Sequence, residues 1–388
     1  MKLINVKTQS QKRQFVDFAN SLYQDLDQYI CPLDIDVEQV FDPQQNPTFE
    51  RGECERWLLI NEDRVIGRIA AFVQNQKSLD KEDGIIGGIG FFECIDDQDA
   101  ANLMFDHAKS WLSERGATYM DGPINFGRRD KWWGLLTNGY DLEPNYNCNF
   151  HLPYYKTLFE NYGFQVYYEH YTFSKETRVM VDEKLQRKAG MVADNPDYKV
   201  RIFDTKNFKK QIADIVEIYN KAWVKHEGVA GLKYDQAMKM FKKMKPILDP
   251  RIMWFVYYKN EPVAFYLNIP EVNQIFKHLN GKMGLFGTLK FLWYKLTKKN
   301  KKMLGIVFGV VPEHQGKGVD GALIMTCYNT MKTLPGLYEN LEINGIGDFN
   351  RKMIIVVRQV GGEICKVHST YRYLFDRNLT FERMKPIR

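Results

Sequence analysis

A short segment around residue 315 carries residue types that can bind phosphate groups. Residues 305–319 read GIVFGVVPEHQGKGV, an apolar run followed by a proline and closely spaced glycines. The apolar run predicts a buried strand, and the glycines predict a tight turn into a helix that starts near Val319. Backbone amides in such a turn, with the positive end of the helix dipole, can hold a pyrophosphate. Gly316 and Gly318 allow a phosphate close to the main chain, and Lys317 adds charge. The alternative is an ordinary glycine-rich turn between strand and helix.

The apolar patterning predicts two halves with the same order of helices and strands. Each half has a helical segment followed by a hairpin, with the turns near residues 61–64 and 259–261. Each hairpin is followed by a strand, a helix, a strand and another helix, and a final strand closes the second half. We place a polar connection between the halves at about residues 174–200. The pattern predicts a tandem repeat with little sequence identity between its halves.

The phosphate-binding candidate resembles the signature of the GNAT superfamily of N-acetyltransferases, which is Gln or Arg, two residues, Gly, one residue, then Gly or Ala. Gln315, Gly316, Lys317, Gly318 and Val319 match it, after the typical Val311-Pro312. Asp320 departs from the pattern, because it stands where a small residue belongs and Gly321 comes one position later. Beside a pyrophosphate this acid would be repulsive unless it points away.

A second match lies downstream, where residues 350–362 resemble the GNAT helix that opens with Asn and closes with Gly before a last strand. The resemblance implies an α/β (α+β) fold of tandem domains, each with a mixed, mainly antiparallel sheet flanked by helices. It also implies that acetyl-CoA or another acyl-CoA binds along the strand before the turn and near the Asn350 side chain. The implied contacts are Phe308, Gly309, Val310, Val311, Gln315, Gly316, Lys317, Gly318, Val319 and Asn350.

Over its whole length the chain resembles bacterial two-domain GNAT-like proteins. The resemblance in the first half rests on residues 122–125, 134–136 and 139–141 and on Tyr154-Tyr155. The first-half counterpart of the phosphate turn, residues 95–100, has three acids and no glycine, so it should repel a pyrophosphate. We therefore predict a degenerate GNAT-like domain at 1–180 and an acyl-CoA binding domain at 181–388.

Direct acyl transfer from a thioester needs a base for the amine, donors for the oxyanion and an acid for the leaving thiolate. We expect backbone amides near Val310 and Val311 to serve the oxyanion. Glu342 is the candidate base, and a solvated or salt-bridged strand residue is the equal alternative for it. Val357 stands where many family members carry the acidic tyrosine, so Tyr373 is the candidate acid. Weaker candidates are Glu313 and His226-Glu227 as bases and Tyr371 and Tyr328 as acids.

The amino-acid composition and the net charge indicate which classes of partner to expect. A net charge of +6 over 388 residues gives no reason to expect nucleic acid. The six cysteines lack metal-site spacing, so we expect free thiols, no metal and a cytoplasmic location. The expected acceptor is a small-molecule or peptide amine, and the oligomeric state is left open.

Residues 275–302 form a basic insertion before the strand at 303–311. Leu289, Leu292, Trp293 and Leu296 share one helical face, and the other positions are rich in lysine. A membrane surface or an anionic acceptor would suit this pattern. We favour an arm packed over the cleft or against the first domain, with its lysines in water, and thus no membrane contact.

Three functions remain open at this point. The first is an acyl-CoA dependent N-acyltransferase, with acetyl transfer to an amine as the simplest case. The second is a non-catalytic acyl-CoA binding or sensing protein, motivated by Val357 and Asp320. The third is a tandem-GNAT aminoacyl transferase, which the intact phosphate turn disfavours.

Overall fold

The computed structural model of the chain describes residues 1–76, 84–180, 182–223 and 231–386. Thirteen strands and eleven α-helices lie in this part of the chain. The strands are β1 (Lys2–Asn5), β2 (Gly52–Asn61), β3 (Arg64–Gln76), β4 (Gly84–Cys94), β5 (Tyr119–Gly122), β6 (Leu135–Asn138), β7 (Gln165–Glu176), β8 (Tyr198–Ile202), β9 (Met253–Tyr258), β10 (Glu261–Pro270), β11 (Lys302–Val310), β12 (Asn340–Gly347) and β13 (Glu363–Leu374). The helices are α1 (Gln9–Tyr23), α2 (Asp34–Val40), α3 (Gln98–Ser113), α4 (Tyr154–Tyr162), α5 (Glu183–Ala193), α6 (Phe208–Trp223), α7 (Tyr234–Met244), α8 (Asn273–Phe276), α9 (Leu285–Thr297), α10 (Val319–Lys332) and α11 (Arg351–Gln359).

The two predicted hairpins are present. β2 pairs with β3 and β9 pairs with β10, both antiparallel. At the first turn Glu62 and Asp63 have φ of 46° and 63°, and at the second Lys259 and Asn260 have φ of 49° and 70°. Two successive residues with positive φ make the tight turn whose twist suits a hairpin. The sequence pattern therefore located both hairpins correctly.

All thirteen strands belong to one sheet, in which the two halves exchange their last strands. The order is β1-β2-β3-β4-β5-β13-β7-β12-β11-β10-β9-β8, and β6 pairs with β13. β13 from the end of the chain lies beside β5 of the first half, and β7 from the first half lies beside β12 of the second. The predicted boundary at residue 180 divides the sequence into two halves, but strands from both halves contribute to the same sheet. The expected mixed, mainly antiparallel sheet in tandem halves is confirmed.

The chain passes from the first half to the second within the predicted connection at 174–200, but this stretch contains regular structure that we did not predict. β7 continues to Glu176, and α5 follows it and packs against α10. The amphipathic spacing of Leu185, Ala189 and Val192 is the signal that we missed. α5 matters for the functional site because it lies against the start of α10.

Each half has its own apolar core. Phe92, Phe105 and Phe159 are fully buried between the first-half sheet and helices α3 and α4. Trp254, Phe255 and Phe265 are the largest fully buried side chains of the second half. These cores fix β4 and β11, the strands that lead into the two turns compared below.

Candidate functional site

The second half has an open cleft between two parallel strands. β11 and β12 pair only from Lys302 to Leu304, opposite Asn340 to Glu342. Beyond that point β11 stays paired with β10 and β12 stays paired with β7, so the two strands part. A bulge in the β10–β11 ladder leaves Ile306 without an opposite residue, and its side chain is 53% exposed where the strands separate. The parted edges give a substrate a place to bind along the sheet.

The glycine-rich turn lies at the open end of this cleft. A short 3₁₀ turn, Pro312–His314, leads to Gly316 and Gly318, which have φ of 74° and 84°, and α10 begins at Val319. Gln315 donates a hydrogen bond from Nε2 to the Val310 carbonyl at 3.0 Å. No hydrogen bond between described residues is donated by the backbone amides of 316–319. Gly316 and Lys317 are exposed, whereas Gly318 and Val319 are buried. The amides of Gly316 and Lys317 are therefore the ones that a pyrophosphate can reach, and this part of the turn fits the coenzyme that the sequence implied.

The two glycines of the turn have different surroundings. A Cβ at Gly316 would have no heavy atom within 4 Å, whereas one at Gly318 would lie 2.0 Å from the Lys188 carbonyl oxygen. Gly321 is similarly close to α5, with the Leu185 carbonyl oxygen at 2.9 Å. Gly316 therefore keeps the outer side of the turn open, and Gly318 and Gly321 let α5 approach α10.

Asp320, the departure from the GNAT signature, has a cationic neighbour. Its Oδ2 lies 3.9 Å from Lys188 Nζ on α5. Its Oδ1 is buried and has no hydrogen bond from the described residues. The Lys188 charge offsets the negative charge that an acid brings to this turn.

A buried charge cluster lies where β11 and β12 begin to part. Glu342 Oε1 is 2.7 Å from Lys302 Nζ, and Glu342 Oε2 is 2.8 Å from Lys366 Nζ on β13. Asn145 of the first half donates from Nδ2 to Glu342 Oε2 at 2.6 Å and to Asn344 Oδ1 at 2.8 Å. The two halves and the exchanged strand therefore build this cluster together, and Asn145, Lys302 and Lys366 were not predicted.

The cluster weakens Glu342 as a proton acceptor. Burial alone would raise the pKa of Glu342, but the charges of Lys366 and Lys302 outweigh it and lower the pKa. Glu342 is therefore a salt-bridged strand residue, which is one of the alternatives that we considered for it. Nearby Glu271 has a pKa raised by burial, although its carboxylate accepts hydrogen bonds from the backbone amides of Tyr146 and Asn273.

The structure does not bring the predicted acid to this cleft. Tyr373 is buried in the first-half core beside Tyr162 and Phe164, because β13 crosses into that half and pairs with β5 there. Tyr373 as the acid of the second-half cleft is therefore wrong, and Tyr371, bonded to Glu160, lies in the same core. The exchange of final strands could not be read from the sequence.

The remaining predicted residues have clear positions. Asn350 caps α11, accepting from the Met353 amide at 3.2 Å through Oδ1. The Val311 amide donates to the Val263 carbonyl at 2.9 Å, so it is not free for an oxyanion as we expected. Glu313 is exposed beside the turn. The weaker candidates His226 and Glu227 lie outside the described residues.

The corresponding cleft of the first half is filled by its own chain. β4 pairs with β5 at Gly88 and Asp121, and the Ile124 amide then donates to the Ile89 carbonyl at 2.7 Å. A Cβ at Gly90 would lie 2.0 Å from the Ile124 carbonyl oxygen. The α3 helix is capped by Asp97, an acid at the helix end where a phosphate would bind. This half has no open groove between β4 and the segment after β5.

A pocket of about 300 Å³ lies at the other end of β11 and β12, beneath α9. Phe291, Val272 and Leu248 supply apolar walls, and Tyr338 lies four residues before Glu342 on the chain that enters β12. Its volume is in the range of small-ligand pockets. Among the described residues no group of side chains has the arrangement of a metal site, and no helix is long and apolar enough to cross a membrane.

The thiols are poor nucleophiles in this environment. Burial raises the pKa of Cys148 and Cys327 to about 12 and that of Cys365 to about 11. We expect iodoacetamide at neutral pH to leave any acyl transfer activity unchanged, because the thiolate is the reactive form. Rapid inactivation, with a modified cysteine in the peptide map, would instead identify a thiol in the reaction.

Comparison with known proteins places this geometry in context. No protein-family model matches the sequence. The chain is 25% identical over 376 residues to a protein of Caulobacter vibrioides named bacterial ceramide synthase, covering 96% of this chain and 97% of the relative. It is 22% identical over 370 residues to the Escherichia coli protein YghO, covering 92% and 91%.

A solved structure shares the whole architecture. A tandem GNAT protein from the clavulanic acid biosynthesis pathway superposes with a TM-score of 0.54 and 10% sequence identity, covering 97% of this chain and 99% of that one. At this identity the likeness concerns the fold alone. The parted strands and this full-length likeness agree, and the chain has the tandem GNAT fold.

Proposed function

We propose that the protein is an acyl-CoA dependent N-acyltransferase whose acceptor is a long-chain amine. The observation that carries the proposal is the open cleft of the second half, which runs from the exposed turn at Gly316 and Lys317 to the buried cluster at Glu342. The first half has the same strand order but a filled cleft. We infer from this contrast that the second half carries out the reaction and that the first half supports it.

The donor side is built from the chain's own main-chain groups. The turn at Gly316 and Lys317 would hold the pyrophosphate, and the free edge of Phe308 to Val310 would lie along the pantetheine arm. Acyl-CoA would supply an activated acyl group as a thioester. Its reactive end would lie near Ile306, at the bulge where β12 leaves β11.

The reaction forms a C–N bond to the amine and breaks the C–S bond, and the amine proton leaves to water or to the thiolate. Negative charge develops on the carbonyl oxygen and on the departing sulfur. Lys302 and Lys366 place two ammonium groups at the end of the cleft, and Glu342 holds both of them within 2.8 Å. In this proposal Glu342 is a positioning residue for these cations, because its lowered pKa suits a permanent anion better than a base.

The acceptor class is suggested by one relative and one pocket. The Caulobacter relative is named a ceramide synthase, and a ceramide is the amide of a long-chain amino alcohol and a fatty acid. The pocket beneath α9 has apolar walls, including Phe291 and Leu248, that are suited to an alkyl chain, and charged side chains, including Asp249 and Arg251, also line it. A long-chain amine fits these two observations better than the polar peptide amine that we also expected.

A paired substitution tests the cleft. Ile306→Trp should lower kcat/KM for fatty acyl-CoA by at least about tenfold, because the larger side chain fills the gap between the parted strands. Thiol release would be followed in the presence of a long-chain amino alcohol, with mass spectrometry of the amide. Ile202→Trp is the matched control, since Ile202 is 54% exposed on edge strand β8 against 53% for Ile306.

Three other outcomes would contradict the proposal. Full activity of Ile306→Trp would remove the cleft as the reaction site. Calorimetric binding of CoA with no thiol release from any amine would favour the sensing alternative. The absence of both CoA binding and thiol release would remove the acyl-CoA proposal altogether.

A further inference from the structure

Helix α9 turns its apolar face to solvent. Among its thirteen residues only Phe291 is buried. Six large apolar side chains are between 46% and 85% exposed, namely Leu285, Phe286, Leu289, Leu292, Trp293 and Leu296. Scattered exposed leucines are ordinary, but a contiguous apolar helical face marks an interaction surface. Our expectation that this face packs against the protein is therefore wrong.

The geometry of the helix explains how this face is presented. At 3.6 residues per turn, the six exposed apolar residues lie on one side of α9, and Phe291 and Tyr294 lie on the opposite side. Phe291 packs 5.9 Å from Phe276, and Tyr294 stacks at 4.2 Å on His278, measured between ring centroids. The side of α9 that carries Phe291 and Tyr294 therefore packs against the protein, and the apolar side is exposed to solvent.

The segment before α9 is fixed to the first half. Lys277 of the loop after α8 is 2.8 Å from Glu143, and the Asp34 amide donates to the Gly281 carbonyl at 2.8 Å. Phe276 contacts Tyr146 of the first half. The part of the insertion before α9 thus packs against the first domain as we expected, and this packing orients the exposed face.

The charged side chains of the segment that carries α9 are all positive. Residues 272–312 contain eight lysines and no aspartate or glutamate. On the helical wheel Lys290 and Lys295 fall on opposite flanks of the apolar face. Lys282, Lys290 and Lys298 are exposed and have no ion pair with a described residue. An apolar strip between lysines is complementary to a surface that offers both negative charge and hydrocarbon.

We propose that α9 docks the protein onto the surface of an anionic lipid bilayer, with its exposed face in the interfacial region and its lysines at the headgroups. A helix of thirteen residues, about 20 Å long, is suited to lying in the interface and is too short to span it. The pocket beneath α9 is lined by Phe291 and Lys295 of this helix and by Lys298 directly after it, so docking of α9 brings the pocket close to the lipid surface. The docking proposal holds whether or not the protein transfers acyl groups.

Vesicle co-sedimentation of the purified full chain, without any acyl donor, tests the proposal. We expect binding to vesicles of phosphatidylcholine mixed with phosphatidylglycerol, and at least about tenfold weaker binding to phosphatidylcholine alone. Leu289→Ser/Trp293→Ser should lower binding to the mixed vesicles by at least about tenfold, because it removes apolar area from an exposed surface. The matched control, Leu103→Ser/Leu379→Ser, changes two exposed leucines away from α9 and should bind as the wild type does.

Two further measurements separate a bilayer from other occupants. Trp293 fluorescence should shift to shorter wavelength on vesicle binding, and Trp293→Phe should lose that shift while still sedimenting. Lys290→Glu/Lys298→Glu should weaken binding to the mixed vesicles and leave the unfolding midpoint unchanged. Equal binding of wild type and Leu289→Ser/Trp293→Ser would overturn the proposal. So would a wild-type dimer that becomes monomeric in that variant while neither protein binds vesicles, because a second copy would then cover the face.

Discussion

Glu342→Gln is expected to lower the free energy of unfolding by about 3–5 kcal/mol, because it leaves two buried ammonium groups without a counter-ion. The Glu342 side chain is 6% exposed, and those of Lys302 and Lys366 are 17% and 2% exposed. Breaking a buried ion pair by removing one partner leaves the other charge poorly solvated, which is the costly part. Urea denaturation, with the midpoint and slope fitted together, measures the change.

A neighbouring ion pair provides the control. Glu339 is 3.7 Å from Lys301, and both side chains are exposed, at 39% and 67%. Glu339→Gln should therefore change the free energy of unfolding by less than about 1 kcal/mol, as exposed pairs contribute little. Equal effects of the two substitutions would show that the Glu342 cluster is solvated, which would contradict the buried cluster described above.

The stability difference at Glu342 should depend on pH in one direction. Its folded-state pKa is lowered from the ordinary 4.5, so the stability that it contributes is fully present above that value. It is lost as the pH falls through the lowered folded-state pKa, where the carboxylate takes up a proton in both states. We therefore expect the gap between wild type and Glu342→Gln to be widest near neutral pH and to narrow in acid. A gap that widens in acid would contradict the lowered pKa.

Gly318→Ala is expected to damage both stability and coenzyme binding. A non-glycine residue at φ of 84° costs about 1–2 kcal/mol, and its Cβ would lie 2.0 Å from the Lys188 carbonyl oxygen. Because that atom belongs to the α5 backbone, α5 must shift, so we expect a total loss of about 2–5 kcal/mol. Thermal unfolding and CoA calorimetry on the same samples measure the two effects.

Gly316→Ala separates backbone strain from the contact with α5. Gly316 has a similar φ of 74°, but a Cβ there meets no heavy atom within 4 Å. It should cost about 1 kcal/mol of stability and still weaken CoA binding by about tenfold, because its methyl group projects into the open side of the turn. If Gly316→Ala bound CoA as tightly as wild type, the turn would not be the phosphate site.

The sequence predicted those features that depend on neighbours in the chain. Both hairpins, the strand ahead of Pro312 and the turn at Gly316 and Gly318 follow from local patterning, and the structure has them all. A glycine that needs positive φ, or a turn between two apolar runs, is determined by a few adjacent residues. The acids at 95–100 predicted that the first half repels a pyrophosphate, but the filling of its cleft by its own chain was not predicted.

The features that depend on distant parts of the chain were missed. The sequence of β13 indicates a strand but not its neighbours, so it does not reveal that Tyr373 lies in the first half while Lys366 reaches Glu342. The hydrogen-bond and ion-pair partners of Glu342 are Asn145, Lys302 and Lys366, which are far apart in sequence. The exposed face of α9 was misjudged for a related reason, since amphipathic spacing identifies an apolar side but not what covers it.

The exchange of β7 and β13 also constrains the order in which the protein can be completed during synthesis. β5 pairs with β4 on one side, and its neighbour on the other side is β13, which the ribosome makes after every other described strand. Until then the nascent first half presents an unpaired strand edge, the kind of surface that promotes aggregation. Lys366, which pairs with Glu342, lies on the same strand. The charge cluster is therefore complete only after β13 has been synthesised and has closed the sheet.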